Sequence, residues 1–135
     1  YPSLPLVGMR ILLVDDEKDT RELIAFILEQ SGAVVTSVEN AVQAIQAFEQ
    51  ESFDMLLSDI GMPRMDGYAL IQRIREIASK QSTKIVAVAL TAYAGEINQQ
   101  QALTAGFQRH VSKPVEPQHL INVILDLRLY MHQNI

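Results

Sequence analysis

The chain has 135 residues, 48% hydrophobic and 20% charged, which suits one domain with a single full core. Its net charge of −5 argues against a nucleic-acid surface built on bulk positive charge. The lack of cysteine excludes disulfides and thiolate metal sites, no apolar stretch approaches a membrane span, and no signal-peptide pattern opens the chain.

Tyr1-Pro2-Ser3-Leu4-Pro5 reads as an extended linker rich in proline, and a start at Tyr1 rather than methionine suggests an excised fragment or a processed chain. The expected division is a linker over 1–8, a folded domain over 9–127 and a C-terminal tail over 128–135. Within the domain, strand-like and helix-like segments alternate. A strand over about Arg10 to Val14 is followed by a helix whose buried stripe is Leu23, Ile24, Ile27 and Leu28, stopped at Gly32. Val34 to Val38 alternates apolar and polar residues as an edge strand does. Asn40 is placed to cap the next helix with Gln43 completing a capping box, and Ala41, Ala44, Ile45 and Phe48 form its stripe.

Met55 to Asp59 is a third strand, followed by the turn-rich loop Gly61 to Gly67 and a helix marked by Leu70, Ile71, Ile74 and Ile77. Met62 and Met65 read as packing for that loop. Lys84 to Leu90 is almost continuously apolar, as a central strand is. A polar, Gln-rich helix is expected over Ile97 to Ala105, ending at Gly106, with too little apolar surface to be held firmly. Arg109 to Ser112 is a short last strand, and Pro117 opens a final helix with Leu120, Ile121, Ile124 and Leu125 inward. Five βα units with short connections predict an α/β, doubly wound parallel sheet with helices on both faces.

The ends of the apolar runs carry the chemistry. Asp15 and Asp16 follow the first strand, Asp59 ends the third, Thr91 the fourth, and Lys113 follows the last. In a parallel sheet all of these reach the carboxyl edge, where open α/β folds bind ligands. Two carboxylates about 4 Å apart repel by about 4 kcal/mol at an effective dielectric of about 20, so three need compensation. Lys113 supplies one positive charge, and a divalent cation with a preference for oxygen ligands supplies the rest. Magnesium fits that description, and beside it an aspartate becomes a plausible nucleophile towards phosphorus. Taken singly, Asp15-Asp16 is an ordinary N-cap region, Asp59 a turn former, Thr91 a cap and Lys113-Pro114 of no consequence; together they form a metal and phosphate site.

Val14-Asp15-Asp16-Glu17, Ser58-Asp59-Ile60-Gly61-Met62-Pro63-Arg64-Met65-Asp66-Gly67, Leu90-Thr91-Ala92 and Ser112-Lys113-Pro114 resemble the motifs of the receiver domain of two-component response regulators. The resemblance runs from about Met9 to Leu127, with every motif in order. It implies a flavodoxin-like five-stranded sheet of order 2-1-3-4-5. It also implies a signalling switch in which Asp59 is the phosphoacceptor for a kinase phosphohistidine. Asp16, Asp59 and the Gly61 backbone carbonyl would bind Mg²⁺, with Asp15 acting largely through water. Thr91 and Lys113 would contact the phosphoryl oxygens, and the peptide bond before Pro114 would be cis. The implied partners are a histidine kinase, in the same or another chain, and a histidine phosphotransfer domain, with docking on the rim around Asp59 and the first helix. No direct nucleic-acid or membrane contact is implied, the location is cytoplasmic, and the only catalysis is self-phosphorylation and autodephosphorylation.

Two positions depart from the family's common pattern. His110 stands where an aromatic switch residue is frequent, making Thr91 and His110 the expected switch pair. Gly61 and Tyr93 stand at positions that bear on the lifetime of the phosphorylated state. The linker-like start, Leu90 to Glu96 and Lys113 to Pro117 resemble receivers attached to hybrid sensor histidine kinases; a stand-alone single-domain regulator is the alternative. An aspartyl-phosphate phosphohydrolase would need an acid where Gly61 stands and a cap segment for its substrate. A flavin-type nucleotide binder would meet repulsion from Asp15, Asp16 and Glu17.

Overall fold

A computed structural model describes residues 4–92 and 104–133. Five strands, β1 (Arg10–Val14), β2 (Val34–Val38), β3 (Met55–Asp59), β4 (Val86–Thr91) and β5 (Arg109–Ser112), form one sheet of order β2-β1-β3-β4-β5. Every pairing is parallel, with Val14 opposite Ser58, Asp59 opposite Leu90 and Thr91 opposite Ser112. Among the described residues the helices are α1 (Lys18–Gln30), α2 (Ala41–Gln50), α3 (Gly67–Lys80) and α4 (Pro117–Gln133).

Alternation along the strands divides the core in two. Ile11, Leu13, Leu57, Val88 and Leu90 pack with Ile24 and Leu28 of α1 and Leu120 and Ile124 of α4. Leu12, Val14, Leu56, Ala87 and Ala89 pack with Ala44 and Phe48 of α2 and with Leu70, Ile71 and Ile74 of α3. The sheet is thus covered on both faces, which is why its inner strands read as unbroken apolar runs.

Several local expectations shift. Leu23 is 54% exposed. The buried arc of α1 centres on Ile24, Ile27 and Leu28, and Leu23 lies roughly a quarter-turn off that centre. Ile45 is half-buried, while Val123 and Leu127 join the core face of α4. At α2, Asn40 Oδ1 accepts from Gln43 N at 2.9 Å, but the Gln43 side chain reaches back one residue further, accepting from Glu39 N at 2.9 Å. Strand β4 starts at Val86 rather than Lys84; just ahead of it, the carbonyl of Ile85 is taken by the Arg75 guanidinium. Of the helix expected over Ile97 to Ala105, residues up to 103 lie outside the described residues, and Thr104 and Ala105 are helical.

The segment read as a linker contributes Leu6, fully buried, to the core, and Leu6 N donates to Ser31 O at 2.8 Å. At the other end α4 runs on to Gln133, and its Arg128 donates to the carbonyls of Pro5 at 2.8 Å and Val7 at 3.4 Å.

Candidate functional site

The parallel order brings the carboxyl ends of β1, β3, β4 and β5 to one rim. Asp15, Asp16 and Asp59 each offer a carboxylate oxygen there, and these oxygens lie within 4.8 Å of one another. Asp15 is fully buried and Asp59 nearly so, whereas Asp16 is exposed. Lys113 Nζ lies 2.8 Å from Asp15 Oδ2 and 3.5 Å from Asp59 Oδ2. Thr91 is fully buried, and its Oγ1 has no hydrogen-bond partner among the described residues.

Backbone contacts hold these groups in place. Val38 O accepts from Asp15 N at 3.2 Å, the Arg21 guanidinium donates to Asp15 O at 2.8 Å, and Glu17 N donates to Asp15 Oδ1 at 2.9 Å. Buried Ser58 donates its hydroxyl to Asp59 O at 2.9 Å. Lys113 N donates to Thr91 O at 2.7 Å, tying β4 to β5 behind the site, and the Lys113–Pro114 peptide bond is cis. Half-buried His110 lies opposite Ala89, two residues before Thr91. Gly61 is exposed at the start of the β3–α3 loop.

Electrostatics follow from this crowding. Burial raises the Asp59 carboxyl from 3.8 to about 6; Lys113 opposes the rise, and Asp15 and Asp16 add to it. Burial alone would lower the Lys113 ammonium, but its contacts with Asp15 and Asp59 more than offset this and hold it protonated above its ordinary value. Within 4.8 Å each carboxylate pair repels by at least about 3 kcal/mol at an effective dielectric of about 20. One ammonium against three carboxylates leaves an anionic pocket of hard oxygen donors, a donor set that suits a divalent cation such as Mg²⁺.

Sequence reasoning missed three supporting residues. A Cβ on Gly67 would stand 2.5 Å from Asp59 O and 2.9 Å from Ile60 Cα, so only glycine lets α3 begin against the backbone of Asp59. Asp66-Gly67 at the head of a helix was a visible signal for that close approach, while Arg21 and Ser58 offered none.

A family model described as the response regulator receiver domain matches residues 11–125. An uncharacterised 14.6 kDa protein of Leptolyngbya boryana is 46% identical over 119 residues, covering 88% of this chain and 89% of its own length. The sensor protein GacS of Pseudomonas syringae pv. syringae is 35% identical over 125 residues; the match spans 92% of this chain and 14% of GacS. Among solved structures, the receiver domain of the Saccharomyces cerevisiae response regulator Ssk1, crystallised with the histidine phosphotransfer protein Ypd1, is similar in fold, with a TM-score of 0.77 at 19% identity over 85% of each chain.

Proposed function

The chain belongs to the response regulator receiver domain family, and on that premise we propose that Asp59 accepts a phosphoryl group from a phosphohistidine, with Mg²⁺ held by Asp15, Asp16, Asp59 and the Gly61 carbonyl. The observation that carries this reading is the meeting of three carboxylate oxygens within 4.8 Å with Lys113 Nζ against Asp15 and Asp59. When bound, the ion supplies neutralisation of the transferring group. A carboxylate oxygen of Asp59 attacks phosphorus as the phosphorus–nitrogen bond breaks; the electron pair leaves on the imidazole, which takes up a proton. Lys113 steadies the phosphoryl oxygens, and the buried Thr91 hydroxyl, without a partner among the described residues, is available to donate to one of them.

Thr91 and His110 form the switch. The added phosphoryl group carries about −1.5 to −2 charge, and Thr91 turning towards it pulls on Lys113, whose backbone N donates to Thr91 O at the end of β5. Amide shifts on adding beryllofluoride should therefore concentrate at Thr91, His110 and residues 92–106, and an even spread over α1 and α2 would count against the assignment. The donor is a histidine kinase or a histidine phosphotransfer domain on the cytoplasmic side, docking on the rim and α1. The match to a short span of GacS favours a receiver within a longer sensor kinase. The Leptolyngbya relative, matched over nearly its whole length, favours a stand-alone regulator as the second reading.

Phosphoramidate with Mg²⁺, followed by intact-mass measurement, tests the acceptor. The wild type should gain one base-labile phosphoryl group, Asp59→Asn none, and Asp16→Ala none in a metal-dependent manner. Full labelling of Asp59→Asn would overturn the assignment.

A further inference from the structure

Beside the acceptor the rim carries a groove of about 810 Å³, lined among others by Asp16, Glu39, Val42, Pro63, Arg64 and Met65. The transfer chemistry leaves Arg64 unused. Its backbone has φ 70, a left-handed conformation that a residue with a side chain adopts only at a cost. Its charge is also uncommitted among the described residues. Of the other cations near the rim, Lys113 is held by Asp15 and Asp59, Lys18 faces Glu22, and Arg21 donates to the Asp15 carbonyl. Arg64 has no ion pair or hydrogen bond among the described residues.

Any phosphodonor brings a dianionic group to a rim where exposed Glu39 repels it, as does Asp16 until a metal is bound. A free guanidinium in the same groove offsets that repulsion before the donor reaches Asp59. We propose that Arg64 is a capture residue that steers the dianionic phosphoryl group of the phosphodonor into the groove beside Asp16. The inference rests on Asp59 being the acceptor. It concerns the rate of capture and leaves the transfer step itself unchanged.

The test uses phosphoramidate, saturating Mg²⁺ and labelling rates by intact mass at about 20 mM and about 500 mM salt, where screening differs several-fold. At low salt R64A should lower kcat/KM about fivefold with the saturating rate unchanged, and the gap should close at high salt. R64K should keep most of the wild-type value. R64G, which also relieves the left-handed backbone, should fall with R64A, and thermal melts establish that each variant folds. Wild-type kcat/KM in R64A, a loss confined to the saturating rate, R64K falling with R64A, or R64G matching wild type would each overturn the proposal. Absence of labelling in the wild type would instead overturn the acceptor reading, so the two failures are distinct.

Discussion

Asp59 is held at about 6, above its ordinary 3.8, mainly because it is buried. A carboxyl that binds its proton more tightly in the folded chain than in the unfolded one lends stability below about pH 4 and loses it as pH rises through about 6. Holding the proton that much more tightly corresponds to about 3 kcal/mol. Without metal, Asp59→Asn should therefore be more stable than wild type by up to about 3 kcal/mol at pH 7, with the difference gone by about pH 4. Urea melts at the two pH values check this. Mg²⁺ should raise the wild type's stability at pH 7 and progressively less below pH 6, as protons compete for the same oxygens. Gly67 is the neutral counterpart, a position where a single methyl group meets backbone. Gly67→Ala should cost more than about 2 kcal/mol and slow labelling of Asp59, because α3 must retreat from the acceptor strand.

At the scale of elements, the three inner strands were legible as short apolar runs leading to a polar residue and the edge strand β2 by its alternation, and the rim followed from their being parallel. Asp59 and Lys113 lie far apart in sequence, and only that topology brings them together. Leu23 was misread because a stripe of apolar residues fixes a helix face only to within a quarter-turn. Leu6 escaped notice because its burial depends on Ser31 and α4, which no local pattern reveals. Arg75 is a similar case: a charged residue on α3 whose guanidinium donates to the carbonyls of Ile85 and Gly106 and to Gln108 Oε1. It fastens α3 to the entries of β4 and β5, at the amino edge of the sheet and away from the acceptor. Arg75→Met should destabilise the domain by about 2 kcal/mol, since it strands two carbonyls. Labelling of the folded fraction should be unchanged, and chemical denaturation alongside intact mass separates the two effects.

For the molecule as a whole, one edge of the sheet gathers the reactive groups and the opposite edge gathers the fastenings. Arg128 places residues 5–7 and the last turns of α4 within a hydrogen bond of one another at that opposite edge. The linear order of the chain is therefore incidental to the fold: a short glycine-serine bridge from the end of α4 to Leu4, with the backbone opened in the exposed turn at Gln81–Ser82, should give a circular permutant with the same sheet. Circular dichroism and phosphoramidate labelling would check it, and a permutant that folds but no longer labels would show that strain at the seam reaches the reactive edge. Success would make the domain a cassette whose seam can be moved around its perimeter without disturbing the aspartates.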